Sequence, residues 1–136
     1  MSWDAFLDTA RRLVAGATEG DWRSAISRAY YAVFHFFRDW FSRQGISMDK
    51  QNAHFRMPGA LTATQDVALQ VISRRIADLR EIRQKADYDL VKKRVAQAEA
   101  VAAVAEAAQI VTDFRAIQIT PELIAKMAAW VATVRG

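Results

Sequence analysis

The sequence predicts an all-α protein, an up-and-down bundle of four long helices followed by one additional C-terminal helix. Three observations carry that expectation. A chain of 136 residues that is 52% hydrophobic holds enough apolar mass for one core. Its five Gly and two Pro leave little punctuation for strands, while Ala, Arg, Gln and Glu fill the long runs. Within those runs, apolar residues return three and four positions apart, the spacing of one helix face. Residues 1–118 are assigned to the bundle and residues 119–136 to a helix packed on the bundle or on a partner.

From the N-terminus, Ser2 offers a cap for a helix with Phe6, Leu7, Ala10, Leu13 and Val14 on its apolar side, ended by Gly16. Asp21 caps a longer second helix that runs to about Gln44 and stops at Gly45. Its core stripe is Ile26, Tyr30, Val33, Phe34, Phe37 and Phe41, with Trp22, Ala29 and Trp40 alongside. Phe36 faces away from that stripe and requires a second covering surface, expected from another copy of the chain. Between Ile46 and Ala63 the pattern loosens, and residues 49–56 make a short turn of helix that Pro58-Gly59 breaks. His54 and Arg56, in this segment, either cover a polar site or sit in solvent, and solvent is the expectation.

Thr62 and Gln65 have the spacing of a capping box and open a third helix carrying Val67, Val71, Ile72, Ile76 and Leu79. A fourth helix spans about Val91 to Ile117 and packs through a small-residue face of Val95, Ala98, Ala102, Ala105 and Ala108. Thr120-Pro121 starts the last helix, with Leu123, Ile124, Met127, Trp130, Val131 and Val134 turned inward and Trp130 as its anchor.

Several chemistries are excluded by missing residues. There is no cysteine, hence no disulfide and no thiolate, which suits a reducing cytoplasm. No signal-like N-terminus and no run of roughly 18 apolar residues is present, so the chain is expected to be soluble and free of the membrane. Glycine-rich phosphate loops, metal-ligand spacings and nucleophile elbows are absent, and no metal or other cofactor is expected. The net charge of +4, mostly from arginine, is compatible with a phosphate-bearing partner.

The stretch from Leu79 to Asp89 is where charge meets the apolar arc. At about 100° per residue the arc is drawn by Ile72, Ile76, Leu79, Ile82 and Ala86, and Arg83 points between Leu79 and Ile76. A guanidinium held there needs a carboxylate, a carbonyl or a bound anion, because desolvating it alone costs several kcal/mol. Asp87, one turn on, is the nearest local partner, and Arg75 also falls near the arc. On the second helix Arg28, Tyr31, His35 and Arg38 share a face at helical spacings. Together with Arg80 these residues have the composition of a phosphate-recognition cluster, and the competing reading is a salt bridge with a snorkelling stem.

The run Gly20-Asp21-Trp22-Arg23-Ser24-Ala25-Ile26-Ser27-Arg28-Ala29-Tyr30-Tyr31-Ala32-Val33-Phe34-His35, then Gly45, His54 and Leu79-Arg80-x-x-Arg83-x-x-Ala86-Asp87-Tyr88-Asp89, resembles the prokaryotic HEPN domains. The resemblance covers roughly Asp4 to Ile117 and leaves the final helix outside. It implies a helical bundle that forms a homodimer through the second and third helices. The wider superfamily includes metal-independent RNases that use an Arg and a His separated by a short spacer and meeting across the dimer. At that spacing from Arg83 stands Tyr88, and a phenol, ionising near pH 10, is a poor acid-base group at neutrality.

Three readings follow. In the first, the chain binds RNA or a nucleotide through Arg28, Tyr31, His35 and Arg80, as part of a prokaryotic toxin–antitoxin or nucleotidyltransferase-linked defence system, with a nucleotidyltransferase antitoxin as partner. In the second it is an endoribonuclease toxin with Arg83, Asp87 and Tyr88 as catalytic residues. Asp87 or His35 is then the base for attack by the RNA 2′-OH, Tyr88 the donor and Arg83 the oxyanion stabiliser. In the third the Arg83–Asp87 bridge only fixes a helix end in a structural dimerisation module.

Overall fold

Six helices make up the computed structural model over its described residues, 2–91 and 94–135, with no strand among them. They are α1 (Trp3–Val14), α2 (Glu19–Arg43), α3 (Ala53–Ala63), α4 (Val67–Tyr88), α5 (Gln97–Arg115) and α6 (Pro121–Arg135). The all-α expectation holds, with one helix more than the sequence predicted. α2 lies at the centre and packs against α1, α4 and α5, while α3 is held between α4 and α6.

The stripe of α2 is buried as expected, Ile26, Tyr30, Val33, Phe34, Phe37 and Phe41 included. Its start differs, because Thr18 is the cap and Asp21 is the reciprocal member of a capping box: the Thr18 hydroxyl accepts from the Asp21 amide and the Asp21 carboxylate accepts from the Thr18 amide. Its end is as read, with Gly45 at φ +77°, a conformation that favours glycine. Phe36 needs no second copy of the chain. It is buried within the monomer, edge-on to Trp3 at 5.3 Å between ring centroids and to Phe114 at 5.9 Å.

α3 is the main departure. The sequence predicted a short turn broken at Pro58-Gly59, whereas the helix continues through both residues to Ala63. Tertiary contacts sustain it: the Ser73 hydroxyl of α4 donates to the Pro58 carbonyl at 2.7 Å, and Trp130 of α6 lies directly over Gly59. α4 then starts later than Thr62. Asp66 is its cap, accepting from the Leu69 amide at 3.0 Å, and Gln65 sits in the preceding turn at φ +60°.

The α4 face is as expected at Ile72, Ile76, Leu79, Arg83 and Ala86 but not at three further apolar residues, and the α5 face is out of register. On α4, Leu69, Ile72, Ser73, Ile76, Leu79, Arg83 and Ala86 are buried, while Val67, Val71 and Ile82 are exposed. On α5 the buried face is Ala100, Ala103, Val104, Ala107, Ile110, Val111 and Phe114, leaving Ala98, Ala102 and Ala105 outside. The bulky residues choose the face, because each removes more apolar area from water than an alanine does. α5 also begins at Gln97 rather than near Val91, and Lys92 and Lys93, within the expected span, lie outside the described residues. Arg75 is accounted for by a fork to α5, reaching Glu106 at 2.6 Å and Asp113 at 2.7 Å. Among the described residues no helix is long and apolar enough to cross a membrane.

Candidate functional site

Arg83 lies in the buried stripe of α4 with 9% of its surface exposed. Two partners make this tolerable. Its Nη2 donates to the Tyr31 hydroxyl of α2 at 2.6 Å, and its Nε lies 2.9 Å from the Asp87 carboxylate one turn on. The Nε–H is not aimed along that line and makes no hydrogen bond, so the Asp87 contact acts through charge more than through a directed bond. Asp87 accepts in turn from the Ser27 hydroxyl at 3.2 Å. The rings of Tyr31, Tyr30 and Tyr88 surround the guanidinium carbon at 4.9, 5.7 and 5.7 Å.

The end of α4 is pinned from α2 by a residue the sequence reading did not single out. Arg23, buried beneath the helix terminus, donates Nη1 to the Ala86 carbonyl at 2.8 Å and pairs its Nε with Glu19 at 3.1 Å. That carbonyl lies in the last turn of α4, where intrahelical amide donors run out, and a cation is the favoured group at that pole of the helix. The turn bearing Asp87 and Tyr88 is thereby fixed relative to Ser27 and Tyr31.

α3 closes the other side. His54 stacks on Phe34 with centroids 4.4 Å apart, and its Nδ1 is 2.5 Å from the Tyr30 hydroxyl. Burial drives the Tyr30 phenol well above its ordinary value. Burial first, then the charges of Arg80 and Arg83, lowers the His54 imidazole below its own. Both groups are therefore neutral near pH 7, and the phenol–imidazole hydrogen bond takes its direction from the imidazole tautomer. Beside His54, the Arg80 guanidinium lies 4.4 Å from the Phe55 ring, and its buried Nε has no hydrogen-bond partner. Phe55 is 64% exposed. His54, Phe55, Arg80 and Gln84 line a cleft of about 470 Å³ between α3 and α4 together with the Glu81 carboxylate, which lies 3.5 Å from Lys85, so this cleft too carries both signs of charge.

Of the residues singled out in the sequence, Arg83, Asp87 and Tyr31 are brought into direct contact. Tyr88 is mostly exposed, with its ring beside Arg83, and Arg80 sits one turn back on the α3 side. Arg28 and His35 are drawn elsewhere. Both meet Phe6 of α1, His35 stacked at 4.6 Å and Arg28 at 5.9 Å, and the His35 ring is 6.2 Å from Tyr31. Burial, then Arg38, lowers the His35 pKa. A second cleft, of about 520 Å³, runs past His35 and Arg38, but Asp4 and Asp39 line it too and Asp39 pairs with Arg43 at 2.9 Å, so it presents no uniform charge.

His54, expected in solvent, is the principal residue the sequence reading misplaced. The signal available was faint: Ala53, Met57, Ala60 and Leu61 form a helical stripe with His54 at its edge. Its partner Tyr30 is far away in the chain, where no local spacing reveals it. Among the described residues no group of His, Asp and Glu side chains is arranged to hold a metal ion.

Comparison with curated proteins and with solved structures gives no match. A family model for the HEPN domain matches residues 4–117, which takes in α1 to α5, every site residue above, and not α6. With most of its length covered by that match and an all-helical fold in agreement, the chain belongs to the HEPN domain family.

Proposed function

We propose that the chain binds single-stranded RNA or a nucleotide in the cleft between α3 and α4, as a component of a prokaryotic toxin–antitoxin or nucleotidyltransferase-linked defence system. In this reading residues 1–118 are the HEPN-like unit, its long helices running up and down, and residues 119–136 are an added helix. The observation that carries it is the pairing of Arg80 with the exposed Phe55 ring beside the neutral His54. An open aromatic face takes a base by stacking, a guanidinium lining the cleft donates to a phosphate, and both are sequence-tolerant contacts. Arg83, already neutralised by Asp87, supplies the rigid floor of the site rather than its free charge.

The test is fluorescence anisotropy of a labelled single-stranded oligoribonucleotide, titrated across a range of salt concentrations. Arg80→Ala and Phe55→Ala are each expected to weaken binding by about tenfold. Only Arg80→Ala should lower the salt slope, by about one. An affinity unchanged from the wild type in both variants, or no binding by the wild type at low salt, removes the proposal and leaves a structural module.

An endoribonuclease is the second reading, favoured by the position of His54. The residue lacking from the Arg–His signature along α4 has a counterpart in space, because His54 and Arg83 meet the same two rings, His54 at 5.6 and 6.2 Å and Arg83 at 5.7 and 4.9 Å from Tyr30 and Tyr31. Cleavage of RNA in EDTA by the wild type, lost in His54→Ala, would support it. The homodimer implied by family membership, through α2 and α4, is part of the proposal as well. Sedimentation should then return twice the chain mass of 15.3 kDa, and a monomer at micromolar concentration removes that part.

A further inference from the structure

α3 carries His54 and Phe55, yet it is a poor helix by its own sequence. It has 11 residues, no side-chain cap at Asn52, and Pro58-Gly59 at its middle. Pro58 has no amide to donate to the His54 carbonyl one turn back, so the turn that presents His54 is the one the proline weakens. Gly59 adds the entropy cost of glycine inside a helix. Order in α3 must come from what packs on it.

One support is α4, through Ser73 and the Pro58 carbonyl. The other is α6, whose backbone, among the described residues, approaches no helix but α3. α6 buries Met127 and Val131 there and sets the Trp130 ring so closely over Gly59 that a Cβ on that residue would stand 2.2 Å from a ring carbon. Glycine is thus required at position 59 by the tryptophan, not by the backbone. The family match ends at residue 117, so this contact is an addition to the HEPN unit.

We infer that Trp130 is a positioning residue: α6 is a buttress that holds α3 against α4 and so sets His54 and Phe55 in the cleft. The inference rests on the RNA-binding reading only for its affinity consequence, since the placement of His54 is measurable without ligand. The two histidines make the measurement simple. His54 sits in α3, whereas His35 packs on Phe6 in α1, remote from α6, and serves as the internal control.

The test is an NMR pH titration of both imidazoles in the full chain, for the wild type, Trp130→Ala, Trp130→Phe and Gly59→Ala. Trp130→Ala should move the His54 titration upward, towards the ordinary imidazole value, as α3 loosens from Phe34, Arg80 and Arg83, and should leave His35 in place. Trp130→Phe should restore most of the wild-type behaviour. Gly59→Ala should act like Trp130→Ala, although alanine normally strengthens a helix interior, because its methyl group displaces the indole. Oligoribonucleotide affinity should fall about tenfold in Trp130→Ala. His54 titrating as in the wild type in both Trp130→Ala and Gly59→Ala overturns the inference, and so does an equal movement of His35. Movement of His54 without loss of affinity supports the positioning role and counts against the RNA reading instead.

Discussion

The Arg83 guanidinium donates to the Tyr31 hydroxyl at 2.6 Å while lying 2.9 Å from the Asp87 carboxylate, so α2 and α4 meet at a charge that is matched before any ligand arrives. Arg83→Ala leaves Asp87 with only the Ser27 hydroxyl in a half-buried place, and removing one partner of such a pair is expensive. A loss of about 2 kcal/mol is expected, less than for a fully buried pair because Asp87 keeps some water. Thermal unfolding should show it as a Tm lower by roughly 6–10 °C. Arg80→Ala, in contrast, should leave Tm close to the wild type while weakening RNA. Equal effects of the two variants on stability would contradict this division of roles.

Acid should destabilise the fold earlier than its carboxylates require. His54 and His35 both titrate below the ordinary 6.5, each chiefly through burial, so the unfolded chain binds more protons as pH falls through that value. Stability from the two imidazoles is complete above about pH 6.5 and is lost progressively until their folded values are passed. Asp113, held low by Arg75, adds its own loss only further down, below about pH 4. Melting curves between about pH 7.5 and 5 should therefore shift downward, and His54→Gln should reduce the shift. A flat profile over that interval would refute the assignment of His54 as a half-buried neutral imidazole.

Gln65, at φ +60° in the turn between α3 and α4, occupies backbone space that glycine enters without steric penalty. Its side chain is exposed, so Gln65→Gly removes strain at little cost in contacts. A gain of about 0.5 kcal/mol is expected after the greater freedom of glycine in the unfolded chain is deducted. Chemical denaturation should read it as a raised midpoint with unchanged slope. A lowered midpoint would mean that the turn is stabilised by the glutamine in a way its geometry does not reveal.

What the sequence made legible was set by contrast between neighbouring residues. Arg83 was readable as an inward charge because Ile72, Ile76 and Leu79 bracket it at helical spacing, and the aromatic stripe of α2 stands out against Arg28 and Arg38. α5 offers no such contrast. Alanines lie on every side of it, so Ala98 and Ala102 read as core until Val104, Ile110 and Phe114 are seen to turn the other face inward. α3 was hidden for a different reason: Pro58-Gly59 is a break by every local rule, and only Ser73 and Trp130, distant in the chain, override it. The half of the site built on α3 was therefore invisible, while the half built on α2 and α4 was not.

The hydrogen bond between Tyr30 and His54 commits one nitrogen of an uncharged imidazole and leaves the other outside that bond. Anything entering the cleft would meet an uncharged imidazole on α3 and a guanidinium on α4. Two helices thus sense two different properties of a visitor, and ionic strength would dull one of them without touching the other.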